Sequence, residues 1–258
     1  MRNVRAILIL PLLVLAFAGH AFADEVLVAA ASDLNFPIKE IIGQFEQRTG
    51  HTVKLTLGSS GNFQAQILNG APFDVYLSAD VDYVRQLERA GRIEPGSLYV
   101  YAAGRIVIWV RNGSPIDVQR LGIESLVHAA AKRIAIANAN VAPYGRAAVA
   151  AMRYFNVYDR VASRLVLGEN IAQAAQFVSS GAADIGIIAH SAASADPMRS
   201  TGKYWEIPAN AYPRLDQGMA ILKQARKAGH FDAARAFYDW FRNDASRAIL
   251  KKYGFSLP

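Results

Sequence analysis

Residues 24–258 repeat one pattern: a short, continuous apolar run, then a stretch whose apolar positions fall three and four apart. Bounded apolar runs suit strands covered on both faces, and the wider spacing marks amphipathic helices. The pattern predicts strands at Val26–Ala30, His51–Leu57 and Phe73–Leu77, and helices at Ile38–Arg48, Asn62–Leu68 and Ala79–Ala90. Ile38, Ile41, Ile42 and Phe45 share one helix face, and Gly50, Gly70 and Gly91 stand where these helices should stop. After a Gly/Pro-marked turn at Glu94–Ser97, a strand is expected at Arg105–Val110.

From there the pattern starts again. Helices are expected at Ile123–Ala130, Gly145–Tyr154, Val157–Ser163 and Ile171–Ser179, with strands at Arg133–Ala137, Arg164–Leu167 and Asp184–Ala189. Ser200–Gly202 reads as loop, Tyr204–Ile207 and Gln217–Leu222 as strands, and Phe231–Arg242 and Ala245–Tyr253 as closing helices. Strand–helix alternation of this kind implies an α/β fold with mostly parallel sheets. Two lobes are expected, residues 24–105 and 106–212. The last strand and helices (213–258) have no strand set of their own, so they should return to the first lobe.

The first 23 residues stand apart from this pattern. Arg2 and Arg5, the apolar run Ala6–Phe17 and the small-x-small triplet Ala21-Phe22-Ala23 form a cleavable export signal. The run falls short of the ~20 residues that span a bilayer. The expected location is therefore periplasmic. The absence of cysteine excludes disulfides, thiolate metal sites and a lipid-modified cysteine. Net charge is +7, or +5 once the leader's two arginines are set aside. No basic block with interleaved aromatics is present, so no nucleic-acid partner is expected.

Chemistry enters at Val26–Leu34, VLVAAASDL, where a strand runs into Ser32 and Asp33 and then a helical segment. A helix N-terminus leaves N–H groups unpaired and carries partial positive charge, which suits an oxyanion. The same arrangement returns at Leu55–Gly61, LTLGSSG. An enzyme is disfavoured: there is no G-x-S-x-G elbow, no H-E-x-x-H pair and no phosphate loop, and His51, His128, His190 and His230 are not tied to either serine. A serine hydrolase using Ser32 or Ser60 and an effector-sensing domain of a regulator are the rival classes.

Several stretches in order resemble the periplasmic molybdate-binding proteins of ABC transporters, within the two-lobed (type II) solute-binding proteins. They are LVAAASDL from Leu27, GSSGNFQAQILNGAPFDVYLSAD over Gly58–Asp80, NVAPYGRAA over Asn140–Ala148, LGENIAQAAQFVSSGAADIGI over Leu167–Ile187, and the C-terminal KKYGFSLP. The resemblance implies molybdate or tungstate held in a cleft between the lobes by neutral donors, with no cofactor, and delivery by a monomer to an inner-membrane ABC permease. Sulfate, phosphate or another small oxyanion is the alternative ligand; a ferric ion would need a paired-tyrosine set that is not found. Motif by motif, Ser32 and Ser60 match hydroxyl ligands, with Ser59 the alternative to Ser60. Tyr144 matches an amide or tyrosine position, and Ile171 an aliphatic residue offering its N–H. Some members place a tyrosine where this chain has Ala189, followed by His190, and Tyr144 is expected to stand in for it. Asp33 departs from a neutral site; its carboxylate is expected to cap a helix while its own N–H faces the ligand. Asp74 and Asp80 are expected to be structural caps, and His190 a solvated or capping residue rather than a ligand.

Overall fold

A computed structural model describes residues 24–258; the export signal expected at 1–23 lies outside them. The chain opens with β1 (Glu25–Ala31), a 3₁₀ turn at Ser32–Leu34 and α1 (Pro37–Thr49). Pro37 begins α1, where its missing N–H costs nothing, and Gly50 ends it in the left-handed region at φ 75°. Ile38, Ile41, Ile42 and Phe45 are its buried stripe. There follow β2 (Thr52–Gly58), α2 (Ser60–Leu68), β3 (Val75–Ser78), α3 (Val81–Arg89) and β4 (Tyr99–Gly104).

The second half runs β5 (Ile106–Arg111), α4 (Val118–Leu121), β6 (Ile134–Ala137), α5 (Pro143–Tyr154), α6 (Tyr158–Val161), β7 (Leu165–Gly168), α7 (Ile171–Ser180) and β8 (Ile185–Ala189). Then come α8 (His190–Ser194), α9 (Met198–Thr201), β9 (Gly202–Glu206), β10 (Leu215–Ile221), α10 (Lys223–Ala228), α11 (Phe231–Phe241) and α12 (Asp244–Lys252).

Two five-stranded sheets result, ordered β2-β1-β3-β10-β4 and β7-β6-β8-β5-β9. Each is mostly parallel with one reversed strand: β10 pairs antiparallel with β3 and β4, and β5 with β8 and β9. The reversed strands come from either side of the crossings. β10 reaches the first sheet after the second is complete, and β5 leaves the first sheet directly from β4. Aliphatic and aromatic side chains of α1, α11 and α12 cover one face of the first sheet, and those of α2 and α3 the other. The second sheet is covered by α5 and by α7–α9. Ala31, Ala79 and Leu215 from the first sheet's strand ends join the second sheet's main cluster, so apolar packing continues across the cleft.

Three expectations need correction. The helix placed at Ile123–Ala130 is a run of 3₁₀ turns over Gly122–Val127, preceded by α4. Ser125 Oγ donates to the Gly122 carbonyl at 2.6 Å, a local bond that competes with regular helix. Ser200–Gly202 is not loop, since α9 runs to Thr201 and β9 starts at Gly202. β4, α8 and α10 were not anticipated.

Candidate functional site

Four helical N-termini converge between the sheets. The 3₁₀ turn begins at Ser32, α2 at Ser60, α5 at Pro143 and α7 at Ile171, and one small cavity is lined by Ser32, Asp33, Ser59, Ser60, Tyr144 and Ile171 among others. Every site residue expected from the sequence is therefore in one place. Local sequence explains the geometry: each strand ends in a small or polar residue, and the turn that follows aims unpaired N–H groups at a common point. Among the described residues, no lysine, arginine or histidine lines the cavity, and Asp33 is its one charged residue. Its free volume is ≈ 10 Å³, about what one water needs. A wider opening of ≈ 540 Å³ shares Ser32, Asp33, Asn170 and Ile171 and carries Ala189 on its wall.

Ser32, buried, donates to Asn170 Oδ1 at 3.1 Å and accepts from Ala172 N at 3.3 Å. Asn170 also caps α7 through Gln173 N at 3.0 Å. Ser60 Oγ accepts from Ala79 N at 2.9 Å, and its carbonyl accepts from the Tyr76 hydroxyl at 2.7 Å. Ser59 Oγ is buried without a hydrogen-bond partner among the described residues. Of the two serines, Ser60 is thus built into the framework through its acceptor side, and Ser59 keeps a wholly uncommitted hydroxyl. Pro143 has no N–H to offer, so Tyr144 presents the first donor of α5.

Asp33 does not cap a helix. Its carboxylate accepts from the Tyr144 hydroxyl at 2.9 Å and from Gln217 Nε2 at 2.6 Å, both at Oδ2, while Oδ1 is buried with no partner among the described residues. Burial pushes its carboxyl up from 3.8 to about 6, against the lowering effect of the Gln217 and Tyr144 hydrogen bonds. The Tyr144 hydroxyl is itself held well above its usual range, by burial first and the Asp33 charge second. Gln217 also donates to Tyr144 Oη at 3.1 Å and accepts from the Tyr101 hydroxyl at 2.7 Å. The tetrad Tyr101–Gln217–Asp33–Tyr144 joins the two lobes, and Gly104 makes room for it: a Cβ there would overlap the Tyr144 hydroxyl.

Sequence reasoning missed Gln217 and Arg146. A fully buried amide in an apolar strand was the available signal for Gln217. Arg146 on α5 reaches Asp80 and the Tyr83 hydroxyl on α3, strapping the cleft's rim. Asp80 caps α3 through Asp82 N at 2.9 Å, as expected. Asp74 caps no helix; it accepts from Leu27 N at 2.8 Å and faces His230 at 3.1 Å. His190 lies outside the small cavity, beside the β4–β5 crossing, where Arg105 touches it, Glu206 and the Gly254 carbonyl. Burial and then the Arg105 charge lower its pKa.

Residues 26–256 match the family model described as bacterial extracellular solute-binding protein. The chain belongs to that family. This solute-binding protein is 37% identical over 240 residues to the molybdate-binding protein ModA of Azotobacter vinelandii, covering 93% of each chain. It is 35% identical to the Rhodobacter capsulatus molybdate-binding protein ModA, covering 94% of this chain and 92% of that protein. Among solved structures it is similar to the Azotobacter vinelandii periplasmic molybdate-binding protein, with a TM-score of 0.82, 33% identity, and 90% and 99% of the two chains covered. The two-lobed binding-protein fold, and a binding protein rather than an enzyme, follow from this membership.

Proposed function

We propose that this protein captures molybdate, or the nearly isosteric tungstate, by closing its lobes and hands it to an inner-membrane ABC permease. It works in the periplasm, as a monomer, after loss of residues 1–23. The moving bodies are residues 24–105 with 213–258, and 106–212. The observation that carries the reading is the convergence of four helical N-termini and three serines on one cavity that no cationic side chain among the described residues lines. Such donors bind an oxyanion strongly yet leave no unpaired buried cation in the free protein. The ligand set is Ser32, Ser60 or Ser59, and the N–H groups of Tyr144 and Ile171, with Asp33 at its edge. Two relatives named as molybdate-binding proteins, each covered over more than nine-tenths of its length, support the choice of ion.

Thermal unfolding of residues 24–258 with molybdate, tungstate, sulfate and phosphate tests it. A ligand at a hundred times its dissociation constant adds ~2.7 kcal/mol, a rise in melting temperature of roughly 5–11 °C for a chain this size. Stabilisation by molybdate and tungstate and not by sulfate is expected. A rise with sulfate or phosphate alone would keep the fold and overturn the ligand.

A further inference from the structure

Within a pocket of neutral donors, Asp33 is out of place. Its side chain is buried, it lines the same cavity as Ser32, Ser59, Ser60, Tyr144 and Ile171, and no cationic side chain among the described residues lines that cavity with it. Both side-chain donors, the Tyr144 hydroxyl and the Gln217 amide, are spent on Oδ2. Oδ1 has no partner among the described residues. An ionised carboxylate held there would confront a dianion across a few ångströms of low dielectric, where like charges repel strongly.

We infer that Asp33 makes oxyanion capture proton-coupled: the dianion enters together with one proton, which binds Asp33 at Oδ1 and converts that atom from a repelling acceptor into a further donor. The inference rests on the oxyanion-binding reading above and adds its stoichiometry. The balance is simple. Carboxylate, proton and dianion become a neutral acid and a dianion, with no change in total charge and no bond formed or broken in the oxyanion. With the lobes shut Oδ2 has its two donors, so the proton goes to the oxygen that lacks one.

The surroundings leave Asp33 as the group that takes this proton. Tyr144 on α5 and Tyr101 on β4 are both raised well above their usual range by burial, so neither changes charge near neutrality. Gln217 on β10 and Asn170 before α7 do not titrate. From α8, Ser191 donates to the Asp33 carbonyl at 2.7 Å, and the His190 ring contacts Arg105, Tyr204 and Ser194 instead of the carboxylate. The value of about 6 for Asp33 with the lobes shut then sets the window. Above it the free carboxylate is ionised and must gain a proton on binding; below it the proton is already present.

Calorimetric titration of molybdate into residues 24–258, at pH 8 in two buffers of different ionisation enthalpy, counts the protons taken up. About one proton per molybdate is expected. The dissociation constant should rise by up to ~10-fold per pH unit above about 6. In Asp33→Asn the proton count should fall to zero, the constant should be flat with pH, and binding at pH 8 should be tighter than in the natural chain. A pH dependence and proton count that survive unchanged in this variant overturn the assignment to Asp33. Molybdate binding with no proton uptake by the natural chain overturns the inference and leaves the proposed function standing. No binding of any oxyanion at any pH overturns both. Should the variant fail to fold, the proton count of the natural chain decides alone.

Discussion

Replacing Asp33 by asparagine should stabilise the ligand-free protein, and by an amount that depends on pH. The folded-state carboxyl titrates at about 6 against an ordinary 3.8, with burial as the largest cause. Between those values the folded chain holds a proton that the unfolded chain has released, so stability falls as pH rises through the window. At ~1.4 kcal/mol per pH unit, the loss is complete above about 6 and reaches about 3 kcal/mol. This is a ceiling, because parting the lobes rehydrates the carboxylate without unfolding the chain. Asparagine keeps the volume and an acceptor for Tyr144 and Gln217 but never ionises. The two proteins should therefore be matched near pH 4 and diverge by pH 7. The variant should then melt up to roughly 6–12 °C higher, at ~2–4 °C per kcal/mol. Thermal unfolding at pH 4, 5, 6, 7 and 8 without oxyanion measures it. A difference between the two chains that stays constant over that range would refute the burial argument.

Three further outcomes follow from the geometry. Ser60→Ala leaves the buried Ala79 N–H without its acceptor and should cost about 1–3 kcal/mol of stability in denaturant unfolding as well as weakening molybdate binding; Ser59→Ala, whose hydroxyl has no partner among the described residues, should leave stability within ~0.5 kcal/mol. Whichever variant loses more affinity in calorimetry names the serine ligand. Gly104→Ala forces a Cβ against Gln217 in its own lobe and, when the lobes shut, against the Tyr144 hydroxyl, so molybdate affinity should fall by roughly 5- to 150-fold, the equivalent of about 1–3 kcal/mol of overpacking, while the chain still folds. Arg146→Ala removes a half-exposed strap to Asp80 and Tyr83, worth ~0–1 kcal/mol, and should speed molybdate release in stopped flow by no more than about 5-fold.

Much of the fold was legible because strand and helix periods repeat along the chain, and the strand-end motifs lie where the sequence suggested. Legibility ended where structure is short or depends on distant partners. His190–Ser194 and Met198–Thr201 are too brief to display a helical period. β4 hides behind two alanines and a glycine. Asp33 was misread for a more instructive reason. Its sequence neighbours argue for a helix cap, but its actual donors lie 111 and 184 positions away, on elements that only the folded topology brings together. Ser32 and Ser60 could be located because each follows a recognisable strand–turn unit, and Tyr144 and Ile171 through the family resemblance of the motifs that hold them; Gln217 carries neither signal and shows itself only as an amide in an apolar strand.

The reversed strands also fix an order of assembly. As the chain is threaded out from its N-terminus, the second sheet has all five strands once residue 206 has emerged, whereas the first waits for residue 221 to fill the gap between β3 and β4. The half that is made first is thus completed last, and it lies open along β3 until the later half has finished. An early stop anywhere between the two points would leave one sound lobe and one with an unpaired strand edge, the kind of surface that seeks a partner in another chain. The first half of this protein cannot be cut from the gene as one continuous piece, because residues 24–105 alone lack the strand that sits between β3 and β4.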